Sequence, residues 1–220
     1  MGQIKLITNI LKSNEEFSIK NKNILKNKDI FTINIMSSPG SGKTSILEKL
    51  IENLKGIINI AVIEGDIFTI KDAERIGAQG IEVVQINTEG SCHLDSNMIN
   101  KALNEINLDK IDLLIIENVG NLVCPAEFNI GEDIKIAVLS IAEGNDKVLK
   151  YPLMFEKSDV IILNKTDLLP YTNFDINEFY VDVNKINPKI NVFETSCFKD
   201  SGFDNLGKYI IEKIAEKKGK

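Results

Sequence analysis

An α/β fold, a mostly parallel sheet with helices on both faces, follows from three observations. From residue 31 onward short apolar runs alternate with amphipathic segments, a Gly-rich loop joins the first run to the first segment, and no repeat or low-complexity linker interrupts residues 31–217. The runs expected as strands are 31–36, 57–63, 81–86, 111–116, 134–141, 159–163 and 190–193, all rich in Ile, Val or Leu. The segments expected as helices are 44–54, 70–77, 94–106, 175–186 and 204–217. Residues 1–30 are rich in Lys, Asn and Ile, with Ile4, Ile7 and Leu11 at helical spacing and Phe17 and Leu25 continuing more loosely. One or two amphipathic helices lying on the main body are expected there. The chain divides accordingly into an N-terminal helical extension, 1–30, and one α/β domain, 31–220.

Composition removes several classes of function. The net charge is −6 and the isoelectric point is near 5.0, which argues against electrostatic binding to nucleic acid or anionic lipid. No apolar run approaches the length of a membrane span, and Met1-Gly2-Gln3-Ile4-Lys5-Leu6 lacks the apolar stretch of a signal peptide. Three cysteines, an odd number, point to free thiols or a metal site rather than disulfides. A soluble, cytoplasmic protein is expected.

The first strand runs into Ser37-Ser38-Pro39-Gly40-Ser41-Gly42-Lys43-Thr44, and a helical pattern begins at once. That is the context of a phosphate-binding P-loop. Gly40 and Gly42 let backbone N–H groups around Ser41 turn inward, and the helix N-terminus through Ser45 adds partial positive charge. Lys43 is positioned to reach the β- and γ-phosphates, and the Thr44 hydroxyl to hold Mg²⁺. Ser37 stands where the first glycine of the motif is usual.

The base is named elsewhere. The run 159–163 leads into Asn164-Lys165-Thr166-Asp167, and of the Asn-Lys pairs in the chain only this one follows a strand and is followed by x-Asp. The Asp167 carboxylate accepts both N1–H and N2–H of guanine, a pair adenine does not offer, so GTP and GDP are the expected nucleotides. Ser196 and Cys197, after the last strand, complete the base pocket.

Acids at the carboxyl ends of parallel strands face the ligand crevice. Glu117 follows 111–116 and Asp66 follows 57–63, so both are candidates for Mg²⁺ and the attacking water, and the Gly120 amide for sensing the γ-phosphate. The loops 66–75 and 118–131 become candidate switches. Arg75, the one arginine, falls in the first of them and reads more readily as a surface ion pair than as a catalytic cation.

The sole histidine, His93, adjoins Cys92, and Cys124 lies four residues past Gly120. Thiolate and imidazole suit Zn²⁺ or Ni²⁺, but from spacing alone the signal is weak, since buried free cysteines are common and the chain has no Cys-x-x-Cys. One chain offers too few such ligands for a closed site, and a two-fold pair would double them.

Ser-Ser-Pro-Gly-Ser-Gly-Lys-Thr at 37–44, Glu-Gly-Asp at 64–66, Gly-x-Cys-His-Leu-Asp at 90–95, Glu-Asn-Val-Gly-Asn-Leu-Val-Cys-Pro at 117–125 and Asn-Lys-Thr-Asp at 164–167 closely resemble the HypB family, the hydrogenase nickel-incorporation GTPases. The resemblance covers residues 3–217 and implies a SIMIBI-type P-loop fold and a GTP-dependent homodimer. It also implies interface metal ligands at Cys92, His93 and Cys124, and delivery of Ni²⁺ toward the large subunit of a [NiFe] hydrogenase with a HypA-type nickel- and zinc-binding partner. Residues 1–30 hold neither Cys nor His, so the Cys-x-x-Cys-Gly-Cys or His-rich arm of some members is not among them. Three alternatives remain: the related urease maturation GTPase, with Cys-Pro-His where this chain has Ser-Cys-His; a guanine-nucleotide switch with structural cysteines; and a P-loop kinase. Whether Asp95 is a ligand or a helix cap stays open.

Overall fold

The computed structural model describes residues 6–219, with side chains from residue 11 onward. Seven strands form one sheet: β1 (Phe31–Ser37), β2 (Ile60–Asp66), β3 (Glu82–Asn87), β4 (Leu113–Glu117), β5 (Ile134–Ser140), β6 (Val160–Asn164) and β7 (Asn191–Glu194). Every pairing is parallel and the order is β3-β2-β4-β1-β5-β6-β7. β1, β4, β5 and β6 are buried along their whole length, as unbroken apolar runs require, while the edge strands β3 and β7 are largely half-exposed.

Alternate residues of the strands supply the two sides of the sheet. Ile33, Ile35, Val62, Ile115 and Ile162 pack against α2 (Lys43–Leu54) and α9 (Phe203–Lys217). On the other side, Ala137, Leu139, Ile161 and Leu163 pack under α7 (Pro152–Lys157) and α8 (Ile176–Ile186), and Ile63, Leu114 and Ile116 pack under α4 (Ser96–Ala102). α1 (Leu6–Lys26) lies against α4. Among the described residues, no helix is long and apolar enough to cross a membrane.

Three expectations change. The strand expected at 57–63 begins at Ile60, because the chain turns at Gly56 (φ +85) and leaves Ile57 62% exposed; the strand then runs on through Glu64 to Asp66. The helix expected at 94–106 ends at Ala102, although Leu103 and Ile106 stay buried in irregular chain. The short helices α5 (Cys124–Glu127) and α6 (Lys147–Lys150), and α7 as well, had no expected counterpart, each being too short to show a period. α3 (Lys71–Gly77) matches its segment within one residue.

α1 is one helix, and over its described side chains the buried face combines the expected Leu25 with polar residues that were not expected. Ile4 and the side chain of Ile7 lie outside the described residues, and Leu11 is 39% exposed. Asn14, Ser18, Asn21 and Leu25 are the buried positions, at spacings of four, three and four.

Candidate functional site

Because β1 lies at the centre of the sheet, and the chain crosses first to β2 on one side of it and later to β5 on the other, the loop leaving it opens into the crevice at the strand ends. Gly40 (φ +76) and Gly42 (φ +101) shape that loop, and α2 begins at Lys43. Lys43 Nζ donates to Ser37 Oγ at 3.0 Å, so the serine in the usual glycine position steadies the lysine. Burial pushes the Lys43 ammonium below its ordinary pKa, and Glu117 pulls it back up.

Glu117, at the end of β4, accepts a 2.8 Å hydrogen bond from the Thr44 hydroxyl on Oε1. Glu64 sits beside it in register on β2. Burial drives both carboxyls up, Glu117 to about 7 and Glu64 to about 8, with Glu117 adding repulsion to Glu64. Oε2 of each is buried without a hydrogen-bond partner. Two orphaned carboxyl oxygens beside a P-loop threonine are a donor set that a divalent cation would satisfy. Sequence reading passed over Glu64 because it assigned the strand three residues too early.

Asp66 is turned into its own loop. Its carboxylate takes the N–H of Ile67 at 2.6 Å, the N–H of Thr69 at 3.2 Å and the Thr69 hydroxyl at 2.9 Å. Burial pushes its pKa up, but the Thr69 hydroxyl and the loop amides outweigh that and hold it below the usual range. Arg75 reaches Glu48 at 2.7 Å, Asp72 at 3.0 Å and Ser45 Oγ at 3.2 Å, an exposed ion-pair cluster on α2. Gly120 lies against the P-loop so closely that a Cβ there would stand 3.0 Å from Pro39.

The Asn164-Lys165-Thr166-Asp167 segment, the candidate for reading the base, is tied to the same loop. Asn164 Nδ2 donates to Ser41 O at 2.9 Å, and Lys165, in the left-handed region, extends Nζ to Gly40 O at 2.7 Å. Thr195 Oγ1 donates to Asn164 Oδ1 at 3.1 Å, and Ser196 Oγ donates to the Asp167 carboxylate. Cys197 Sγ stands 3.8 Å from Asn164 Oδ1 and is half-buried, and burial pushes its thiol pKa up. Asp167 is thereby oriented beside a P-loop it does not touch.

One polar anchor was missed. Glu143 accepts Ser41 Oγ at 2.7 Å, the Ser140 N–H at 3.1 Å and the hydroxyl of Ser38. It closes a capping box with Ser140, and the Ser-x-x-Glu pattern at 140–143 was its visible signal.

The cysteines and histidine converge. Cys92 Sγ is 3.1 Å from Cys124 Sγ and 3.7 Å from His93 Nδ1, and donor atoms of all three lie within 4.8 Å of one another. All three are half-buried, and the His93 ring stacks on Phe128 at 4.0 Å between centroids. Burial lowers the His93 pKa, keeping the imidazole neutral and able to ligate, while the Cys92 thiol and burial together raise that of Cys124. Asp95 is a cap: its carboxylate accepts the Met98 N–H at 2.8 Å at the start of α4. A residue that sequence reading did not single out, buried Asn118, lies between this cluster and the P-loop. It follows Glu117, and its Oδ1 accepts the Leu94 N–H at 3.0 Å, next to His93.

Residues 31–194 match the family described as CobW/HypB/UreG, nucleotide-binding domain. The probable hydrogenase maturation factor HypB of Methanocaldococcus jannaschii is 40% identical over 218 residues, 99% of each chain. The hydrogenase maturation factor HypB of Azotobacter vinelandii is 46% identical over 199 residues, 90% of this chain and 66% of that one, so this chain spans just under two thirds of that relative. The crystal structure of HypB from Helicobacter pylori in complex with nickel superposes with a TM-score of 0.89 at 38% identity, covering 93% of this chain and 96% of that one. A P-loop at the sheet centre, an Asn-Lys-x-Asp segment locked against it and a Cys-His-Cys cluster are shared out along the matched region, and the chain belongs to the HypB family of nucleotide-binding hydrogenase maturation factors.

Proposed function

We propose that this chain is a GTP-hydrolysing metallochaperone that carries Ni²⁺ toward the large subunit of a [NiFe] hydrogenase. The observation that carries the reading is the convergence of Cys92, His93 and Cys124 at the end of the loop leaving Glu117, the same acid that holds the P-loop threonine. Backbone N–H groups of 40–45 and the Lys43 ammonium cradle the phosphates and stabilise charge on the transferring phosphoryl. Thr44, Glu117 and Asp66 serve Mg²⁺, which when bound neutralises charge between the β- and γ-phosphates. Asp66 must leave its Thr69 contacts to take part, a rearrangement suited to a switch loop. Asn164, Lys165, Asp167, Ser196 and Cys197 hold the guanine, and the Gly120 amide reads the γ-phosphate. With Arg75 committed to Glu48 and Asp72, turnover by the isolated chain is slow.

The metal is cargo. Two thiolates and one imidazole leave a tetrahedral or square-planar ion short of ligands, and a second copy closing face to face supplies the rest. Exposed Phe68, Ile70 and Val123, on the two candidate switch loops, support a GTP-dependent homodimer that covers them. A HypA-type accessory protein receives or provides the ion in the cytoplasm. Zn²⁺ competes for the same donor set.

The test is equilibrium binding of Ni²⁺ and Zn²⁺ to protein loaded with GDP or with a non-hydrolysable GTP analogue. One ion or fewer per chain is expected, with nucleotide-dependent affinity, and Cys92→Ala or Cys124→Ala abolishes it while guanine-nucleotide binding is unchanged. Metal binding indifferent to both cysteines would leave a guanine-nucleotide switch in place of the chaperone.

A further inference from the structure

Over its described side chains, α1 meets the rest of the chain through two buried amides as well as through Leu25. Asn14 Nδ2 donates to Asn129 O at 2.7 Å, and its Oδ1 accepts the Ser96 N–H at 2.8 Å. Asn21 Nδ2 donates to Ser96 O at 2.7 Å and to Ile130 O at 3.0 Å, and its Oδ1 accepts from Asn100 Nδ2 at 2.8 Å. Asn21 and Ser96 are wholly buried, and Asn14 is 8% exposed. Each amide therefore reaches two segments at once: the start of α4, three residues after His93, and the turn at 129–130, five residues after Cys124. The turn comes so near that a Cβ on Gly131 would stand 2.7 Å from Asn21 Cβ and 3.0 Å from Lys22 N.

We infer that α1 is a polar cross-brace that sets the spacing between the loop bearing Cys92 and His93 and the loop bearing Cys124. Apolar contacts tolerate sliding. Directional hydrogen bonds from a buried amide fix register, and an unsatisfied one is costly enough to hold it. Asn14 and Asn21 are thus positioning residues. As a statement about metal affinity the inference rests on the metallochaperone reading; as a statement about thiol spacing it does not.

The spacing is measured first without metal. In glutathione redox buffers two protein thiols and one glutathione disulfide give the Cys92–Cys124 disulfide and two glutathione thiols, and the equilibrium constant reports how closely the fold holds the pair. Peptide mapping after alkylation reads it in the full chain. Asn14→Ala/Asn21→Ala is expected to lower that constant about tenfold, and the Ni²⁺ affinity by a similar factor, with guanine-nucleotide affinity unchanged. Leu25→Ala, which loosens α1 through its apolar end, lowers thermal stability but leaves the constant within about twofold. Should the double variant fail to fold, Asn14→Ala alone, losing two bonds to the two loops, is expected to give about a threefold drop. A folded Asn variant with an unchanged constant, or a Leu25→Ala drop as large as the Asn effect, overturns the brace. A fall in the constant in a chain that binds no Ni²⁺ upholds the brace and sinks the metal reading instead.

Discussion

At the residue scale, Glu64 and Glu117 carry a cost that the ligand is expected to relieve. The Glu64 carboxyl, pushed up to about 8, keeps its proton in the folded chain well above the ordinary value of 4.5 at which the unfolded chain releases it. Between those values the unfolded state binds fewer protons, so stability falls as pH rises through that window. Denaturant unfolding of the nucleotide-free chain at about pH 5 and about pH 8 should show this loss, and Glu64→Gln should flatten it, with Glu117 accounting for what remains. A Glu64→Gln profile as steep as that of the wild type would refute the assignment. Asp167 offers a second test. Asp167→Asn loses two charge-assisted bonds to guanine, so GTP affinity should fall about a hundredfold or more. The amide instead pairs with the 2-oxo group of xanthine, and xanthosine triphosphate should bind the variant better than GTP does. Equal GTP binding by wild type and variant would mean that Asp167 does not read the base. The candidacy of Asp167 for reading a base was legible from four consecutive residues. That Glu64 shares its site with Glu117 was not, since it depends on which residues of β2 and β4 pair.

At the scale of elements, the Cys124 loop rests on a buried ion pair. Lys135 Nζ, on β5, lies 3.5 Å from Glu132 Oε1, with both side chains under a tenth exposed. It also donates to Ala126 O at 3.3 Å and Phe128 O at 3.2 Å, holding the C-terminal end of α5. Removing the lysine strands a buried carboxylate, so Lys135→Met should destabilise the fold by about 3 kcal/mol at neutral pH. Adding Glu132→Gln should recover much of that loss. A single-variant cost under about 1 kcal/mol would show that the pair is not what anchors α5. None of this was readable beforehand: Lys135 falls within an apolar run, and a four-residue helix opening on Cys124-Pro125 has no period. α1 was foreseen as a helix because its length suffices, but the burial of Asn14 and Asn21 beside Leu25 was not, because asparagine contributes nothing to a hydrophobic stripe.

Over the whole molecule, the P-loop and the Cys-His-Cys cluster are joined through few contacts. Thr44 holds Glu117, the next residue is Asn118, and Asn118 holds the Leu94 amide beside His93. A GTP-bound switch that moves Glu117 therefore moves one metal-bearing loop directly. Ni²⁺ affinity is expected to differ between the GDP state and the GTP-analogue state by a factor of about 5 to 150, and by linkage Ni²⁺ changes the affinity for GTP relative to GDP by the same factor. In Asn118→Ala that factor should shrink below about twofold while each ligand still binds alone. Titrations of both ligands on both proteins decide it; undiminished coupling in the variant would place the link elsewhere.

The parallel sheet, the P-loop, the Asn-Lys-x-Asp segment and the candidacy of Cys92, His93 and Cys124 were determined by sequence alone. Each is carried by local chemistry: a period, a run of glycines, or a short fixed string of residues. Tertiary structure alone decided that the two thiols stand 3.1 Å apart, that Asp95 caps α4, and that Glu64 and Glu117 are neighbours with orphaned oxygens. It also decided that the helix ahead of the sheet grips the segments that follow His93 and Cys124 through Asn14 and Asn21. Apart from the Asp95 cap, a local contact that the sequence left open, these facts depend on strand order, register and the packing of α1, which bring together residues 32, 53 or at least 75 positions apart, and no local pattern encodes such distances.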